Sequence, residues 1–202
     1  LGASRNIGMA KATGDAYAFL DADDVWLDGK LSEAKAALDK HPNSSWFYAP
    51  VWEWNGTSRR KRSCAEVDGI TDFLAFNPLV PSTVVIRKSL PLHWEEDKAL
   101  QEDVGAYLKL FSEGYVPKKI GSRSTLYRVD YGMTADVEDH VEKVTLAIDK
   151  AFEYGHLSAD QYQLYLARKA YEMARTYQKR GDKGRQKVWK RKALERSAQY
   201  RL

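Results

Sequence analysis

An acidic loop placed directly after a short apolar run most limits what this chain can fold into. Residues 3–13 suit a short helix that ends before Gly14, and Ala16–Leu20 is a brief apolar run typical of a buried strand. The run passes at once into Asp21-Ala22-Asp23-Asp24. Helix, tight turn, strand and acidic loop in this order form half of an α/β unit, so a sheet with flanking helices is predicted.

The remaining pattern predicts an α/β body followed by helices. Asn55-Gly56 predicts a hairpin turn between strands at 46–53 and 58–66. Further helices are predicted at 29–40, 70–76, 102–112, 136–153, 158–180 and 184–199, and further strands at 82–87 and 120–128. We therefore predict a body over residues 1–135 and a C-terminal helical extension with a basic tail over 136–202.

Composition and charge narrow the classes of function. Hydrophobic residues make up 44% of the chain and charged residues 30%, which is typical of a globular protein. The lone Cys64 excludes an internal disulfide and a cysteine-based zinc cluster. Residues 168–202 hold 13 Lys and Arg against three acids, whereas residues 1–167 hold 19 against 25. The basic tail suits an anionic membrane surface, and a packed helical cap with a solvated basic face is the alternative.

Three short motifs carry candidate chemistry. Alternate carboxylates after a buried strand, as at Asp21–Asp24, offer the hard oxygen ligands that Mg²⁺ or Mn²⁺ shares with phosphate, although a solvated turn gives the same pattern. Glu102-Asp103 opens a helix, where acids also serve as ordinary partners of the helix dipole. Ser4-Arg5-Asn6 begins the first helix and suits phosphate or simple capping.

Taken together, these motifs resemble the family 2 glycosyltransferases of the GT-A fold. The resemblance lies in LGASRNIGMAKATGDAYAFLDADDVWLDGKL and continues through PSTVVIRKSL, QEDVGAYLKLFSEGY and the closing LYR, over roughly residues 1–135. It implies a GT-A-like (Rossmann-related) mixed sheet with flanking helices. The family begins with a strand and loop that would precede Leu1, so we expect a domain that is incomplete at its N-terminus and inactive alone.

The resemblance also implies a role for each matching residue. Asp21 and Asp23 belong to the Asp-x-Asp signature that would hold Mn²⁺ or Mg²⁺ against the donor diphosphate, with Asp24 beside them. Asp103 matches the general base, and Glu102 would position acceptor or sugar. The residues that match the family's donor-binding positions are Arg5, Asn6, Asp21, Tyr127 and Arg128. One departure is Asp130, which stands where the family often has His.

The implied reaction moves a sugar, of hexosyl type, from a nucleotide-diphosphate sugar donor to a saccharide or lipid-linked acceptor, with inversion. An Asp of ordinary pKa, about 4, is ionised at neutral pH, so Asp103 would accept the acceptor's proton. The family's usual setting predicts a role in surface polysaccharide or glycoconjugate synthesis. It also predicts a cytoplasmic location, peripheral to the inner face of the membrane.

Two other classes of function stay open on the residues alone. A metal-dependent nucleotidyltransferase also places carboxylates after a strand, but here no Gly-rich phosphate loop accompanies them. An RNA- or membrane-binding adaptor would use residues 168–202, with nucleic acid the less expected partner. The Arg59–Arg62 run is predicted to be a solvated hairpin tip, with an anionic acceptor or lipid headgroup as its alternative ligand.

Overall fold

A computed structural model describes residues 1–129 and 137–197 of the chain. The chain divides into two compact units between Ala147 and Ile148, and this border falls within one helix. Asp130 and the predicted boundary near residue 135 lie outside the described residues. The first unit carries all the described strands and the candidate site, and the second is helical.

The first unit alternates helices and strands, as the sequence predicts. Its helices are α1 (Gly2–Lys11), α2 (Lys30–Lys40), α3 (Ile70–Phe76), α4 (Glu102–Ser112) and the start of α5 (Val137–Glu153). Its strands are β1 (Ala16–Ala18), β2 (Val25–Trp26), β3 (Trp46–Tyr48), β4 (Trp52–Trp54), β5 (Arg59–Lys61), β6 (Val85–Arg87), β7 (Lys118–Lys119) and β8 (Thr125–Arg128). A 3-10 turn, Pro81–Thr83, precedes β6.

The strands form two mixed sheets. The first has the order β1-β6-β3-β7, in which only the β3–β7 pair is parallel. The second has the order β2-β8-β4-β5, in which only the β4–β8 pair is parallel. Each sheet is therefore assembled from segments distant in the chain, and β1 with its acidic loop is an edge element of the first.

Several strand predictions are wrong in their bounds, and of residues 58–66 only Arg59–Lys61 form a strand. The strand predicted at 46–53 is split between the two sheets, because Ala49-Pro50-Val51 leaves the ladder and Pro50 has no N–H to donate to it. The start of the strand predicted at 82–87 is instead the 3-10 turn, which Pro81 initiates. Of residues 120–128 only the last four form a strand. The hairpin prediction is confirmed, because β4 and β5 pair antiparallel around Asn55-Gly56.

The core of the first unit consists of aromatic side chains on either side of β3. Trp46 is fully buried against α4, with its ring centroid 5.5 Å from Tyr107 and 5.4 Å from Phe111. On the opposite face of the strand, Phe47 packs with Val85 and with alanines of α2. Most of α4 is buried, because its apolar side chains pack in the core, and its acidic first turn is therefore buried with them.

The second unit contains the end of α5, α6 (Ala159–Lys179) and α7 (Lys183–Ser197). The start of α6 carries a capping box, in which the Ser158 side chain accepts from the Gln161 N–H and the Gln161 side chain accepts from the Ser158 N–H. α6 buries a row that includes Tyr165, Met173 and Tyr177. Across the described residues, no helix has the length and apolarity that crossing a membrane requires.

Candidate active site

The acidic loop is held in place by the 3-10 turn. Phe19, at the end of β1, is buried with its ring 4.9 Å from that of Trp94. The backbone N–H of Asp21 then donates to Ser82 Oγ at 3.0 Å, and the N–H of Asp24 donates to the Asp21 carbonyl at 3.1 Å. Because Ser82 is itself fully buried, the loop has a fixed anchor.

Asp24 and Arg128 join the acidic loop to the second sheet. Asp24 is buried, its Oδ1 accepts from the Arg128 backbone N–H at 2.8 Å, and its Oδ2 is buried without a hydrogen-bond partner. Burial raises the pKa of Asp24 to about 6. The Arg128 guanidinium donates to the Asp23 carbonyl and lies 4.1 Å over the Trp54 ring. One carboxylate oxygen of Asp24 is thus occupied by a hydrogen bond from the backbone of β8.

The acidic pair Glu102 and Asp103 lies at the first turn of α4. Both residues are buried, and Asp103 Oδ1 accepts from the Val104 N–H at 2.9 Å. Burial, with the Glu102 charge beside it, raises the pKa of Asp103 to about 7. The expectation of an ordinary pKa near 4 is therefore wrong, because the carboxyl group is enclosed by protein.

Arg5 of α1 links the two acidic elements. Its guanidinium forms ion pairs with Asp21 Oδ1 and, at 2.7 Å, with Glu102 Oε1. The same group lies 4.6 Å over the Trp94 ring. One half-buried cation therefore offsets carboxylates that are 81 positions apart in the sequence.

A single cavity of about 550 Å³ brings most of the predicted residues together. Its lining includes Asp21, Asp23, Glu102, Asp103, Tyr127 and Arg128. Arg5 and Asp24 stand behind the wall, in contact with Asp21, Glu102 and Arg128. The loop after β1, the start of α4 and the end of β8 therefore form one site.

The side chain of Asn6 forms its hydrogen bonds with the 94–96 segment. Its side-chain amide donates to the Trp94 carbonyl at 2.9 Å and to Glu96 Oε1 at 2.8 Å, and it accepts from the Trp94 N–H at 3.0 Å. These bonds fix the 94–96 segment against α1. Asn6 does not line the cavity in this structure.

Four residues at the site were not predicted from the sequence to lie there. Ser82 anchors the acidic loop, and Arg62, Asn77 and His140 line the cavity. Arg62 belongs to the run that was interpreted as a solvated hairpin tip, yet it is half-buried. The sequence signal for this burial is the alternation of side chains along β5. It places Arg62 on the face opposite to Arg59 and Lys61.

The carboxylates suit a hard dication as a partial set of ligands. Asp21 and Asp23 both line the cavity, and their side chains carry the carboxylate oxygens that Mg²⁺ and Mn²⁺ prefer. In the described part of the chain, no group of three or more His, Cys, Asp or Glu side chains is arranged to hold a metal ion. Two carboxylates would leave most of the coordination shell of such a dication to other ligands.

The comparisons with known proteins agree with this fold. A family model described as glycosyl transferase family 2 matches residues 1–89. Among solved structures the chain is similar to a crystal structure of S. aureus TarS 1–349, at 19% identity and a TM-score of 0.58, covering 87% of this chain and 52% of that one. A second crystal structure of S. aureus TarS matches at 19% identity and a TM-score of 0.56, covering 83% and 30%. No curated protein matches the chain.

The fold is therefore a mixed α/β fold of the GT-A kind, as predicted. Residues 1–89 match the model of the family 2 glycosyltransferases, which confirms the predicted resemblance in the part that contains Arg5 and the acidic loop. The chain spans about half the length of the first TarS structure. The matched segment ends before α4, so the placement of Glu102 and Asp103 rests on the geometry of the cavity.

Proposed function

We propose that this chain carries the reaction centre of an inverting, metal-dependent glycosyltransferase that uses a nucleotide-diphosphate sugar. The observation that carries the proposal is the shared cavity, where the Asp21 and Asp23 carboxylates face the same space as Asp103. A buried carboxylate of raised pKa in a cleft is typical of a functional site. The family 2 match over residues 1–89 supports the reaction class.

In this proposal Asp103 is the general base. Its pKa of about 7 leaves about half of the side chains ionised at neutral pH, and a base whose pKa lies near the working pH is well matched to proton transfer. The acceptor hydroxyl would lose its proton to the Asp103 carboxylate while its oxygen attacks the anomeric carbon. One base facing one leaving group favours direct displacement with inversion.

The other side chains hold and orient the donor. Asp21 and Asp23 would hold Mn²⁺ or Mg²⁺, which when bound neutralises charge on the departing diphosphate. Tyr127 and Arg128 present a phenol and a guanidinium to the same space. Arg5 keeps Asp21 and Glu102 in fixed positions through its two ion pairs. The chain itself would thereby orient the reactants beside the Asp103 carboxylate.

The test separates the metal role from the base role. Donor binding is measured by calorimetry with a panel of nucleotide-diphosphate hexoses and Mn²⁺, and transfer is measured by release of nucleoside diphosphate. We expect Asp23→Asn to weaken binding in Mn²⁺ but not in EDTA. Asp103→Asn should keep donor affinity and lower the transfer rate by about 10²- to 10⁴-fold.

The matched control is Asp28→Asn, which removes an exposed carboxylate from the same stretch of chain outside the cavity. Asp28→Asn should leave both measurements unchanged. Equal Mn²⁺-dependent donor affinity in Asp23→Asn and the parent would refute the metal role. Full transfer by Asp103→Asn would refute the base role.

The acceptor and the setting are also proposals. The reaction class accords with a saccharide or lipid-linked acceptor and with a role in surface polysaccharide or glycoconjugate synthesis. It also accords with a cytoplasmic location at the inner face of the membrane. We further propose that the basic tail contacts anionic lipid, because α7 carries seven Lys and Arg against the single acid Glu195. Exposed Val188 and Leu194 on the same helix support that contact.

A further inference from the structure

We infer that Arg62 forms an anion-binding subsite in the wall of the cavity, for a phosphate or carboxylate group of a substrate. The inference rests on the proposed function only in calling the ligand a substrate. Arg62 lines the same cavity as the four carboxylates, yet it forms no ion pair in the described part of the chain. A half-buried guanidinium without a counter-ion is suited to an incoming anion.

The position of Arg62 is fixed by backbone and side-chain contacts. Its N–H donates to the Val51 carbonyl at 3.3 Å, and its own carbonyl accepts from Arg123 Nη2 at 3.4 Å. Its guanidinium donates through Nη2 to the Asn77 carbonyl at 3.2 Å and lies 5.6 Å over the Tyr127 ring. These contacts hold the side chain while they leave other N–H groups of the fork for a ligand.

Asn77 is an unusual partner. Its φ of 30° places it in the left-handed region, and no other non-glycine residue of the described chain has a positive φ. Its Oδ1 is buried without a hydrogen-bond partner, and the residue lines the cavity. The left-handed φ suits an Asn at the C-cap of α3, whereas the buried, unsatisfied Oδ1 is what points to a ligand, whose hydroxyl would donate to it.

Arg62 lies close to the proposed chemistry. The Tyr127 hydroxyl is within electrostatic reach of Arg62 and also of Asp23, Asp24 and Asp103. The cavity therefore has cationic and anionic walls around one phenol. An anion bound at Arg62 would sit beside the reaction centre, where it belongs either to the donor diphosphate or to an acidic group of the acceptor.

Direct binding of two probes distinguishes these sources. Inorganic pyrophosphate represents the donor diphosphate, and glycerol phosphate represents an anionic acceptor group. Each is titrated into the full chain by calorimetry in EDTA and low salt. We expect Arg62→Gln to weaken at least one probe by about 10-fold, because a charge-assisted fork is lost. Loss confined to pyrophosphate assigns the donor, and loss confined to glycerol phosphate assigns the acceptor.

The matched control is Arg59→Gln, which removes the same charge from an exposed residue that stacks on Trp52. This variant should bind both probes within about twofold of the parent. Arg62→Lys keeps the charge but not the fork, so it should fold and bind with intermediate affinity. The inference is overturned if neither probe binds the parent, or if Arg62→Gln and Arg62→Lys both bind as the parent does. Neither result depends on sugar transfer, so the proposed function is tested separately.

Discussion

Asp103 shows at the scale of one residue how function and stability oppose each other. In an unfolded chain its carboxyl has an ordinary pKa, and burial in the native state raises that pKa to about 7. Between these two values the native state binds a proton that the unfolded state has lost. The free energy of unfolding therefore falls as pH rises through this window. The charged form that the proposed general base would need is the form that the fold disfavours.

Asp103→Asn should consequently stabilise the protein at alkaline pH. The amide cannot ionise, so the stability that the parent loses as pH rises toward and through 7 is retained. We expect a higher melting temperature for the variant at pH 8 and little difference at pH 5. Thermal unfolding followed by circular dichroism at both pH values checks this. A variant that is less stable than the parent at pH 8 would contradict the raised pKa.

Arg5, which stands behind the cavity wall, also affects the titration of Asp103. Its positive charge lowers the pKa of Asp103, against the larger effects of burial and of Glu102. In Arg5→Gln this opposition is lost, so the pKa of Asp103 should rise further and the pH profile of transfer should move to higher pH. The variant should also lose several kcal/mol of stability, because Asp21 and Glu102 lose their buried partner.

The readout for Arg5→Gln is the pH at half-maximal transfer rate, with urea unfolding measured in parallel. Arg87→Gln is the comparison, because Arg87 is also half-buried but bonds only to backbone carbonyls in the described structure. Its loss should lower stability without moving the pH profile. An unchanged profile in Arg5→Gln would show that its charge does not reach Asp103.

At the scale of elements, the position of α1 depends on a glycine. A Cβ at Gly2 would lie 1.8 Å from the Glu95 carbonyl oxygen, so the helix touches backbone there. Gly8 in the same helix has open space around the corresponding position. Because α1 also carries Arg5, a shift of this helix displaces the residue that joins Asp21 to Glu102.

The two glycines should therefore respond oppositely to alanine. Gly2→Ala should destabilise the protein, since backbone on both sides of the contact must move, and it should weaken donor binding. Gly8→Ala should stabilise by about 0.5–1 kcal/mol, the usual gain of alanine over glycine within a helix. Urea unfolding of both variants gives the comparison. Equal effects would mean that α1 does not pack at Gly2.

The helices were more predictable than the strands for a physical reason. A helix closes its hydrogen bonds within one segment, so the local pattern that marks α4 and α6 suffices to predict them. A strand depends on partners that lie far away in sequence. Trp46–Tyr48 and Trp52–Trp54 look like one strand locally, and only pairing with β6 and β8 assigns them to different sheets.

At the scale of the whole molecule, the same distinction separates the predicted from the unpredicted site residues. Asp21, Asp23 and Asp103 belong to motifs in a recognisable order, so the sequence could predict their meeting. Arg62 and Asn77 reach the cavity through loops whose course depends on tertiary packing. Asn77 directly follows the helix predicted at 70–76, which is typical of a left-handed C-cap, but no spacing in the sequence signals the approach of the Arg62 guanidinium to Tyr127.

The charge asymmetry of the molecule leads to the last prediction. The tail's basic charge is concentrated on α7, whose exposed Lys187, Lys190 and Arg191 offer about 1 kcal/mol each near an anionic surface. The chain should bind vesicles containing phosphatidylglycerol and not vesicles of phosphatidylcholine alone, and binding should weaken steeply with salt. Replacing these three residues by Gln should reduce binding about 10²-fold or more. The control replaces the exposed Lys11, Lys40 and Lys98 of the first unit, which removes the same net charge. Equal losses in the two triple variants would mean that net charge, and not α7, drives association with the vesicles. If the chain instead binds RNA, and the triple variant of α7 loses that binding, the adaptor alternative is favoured.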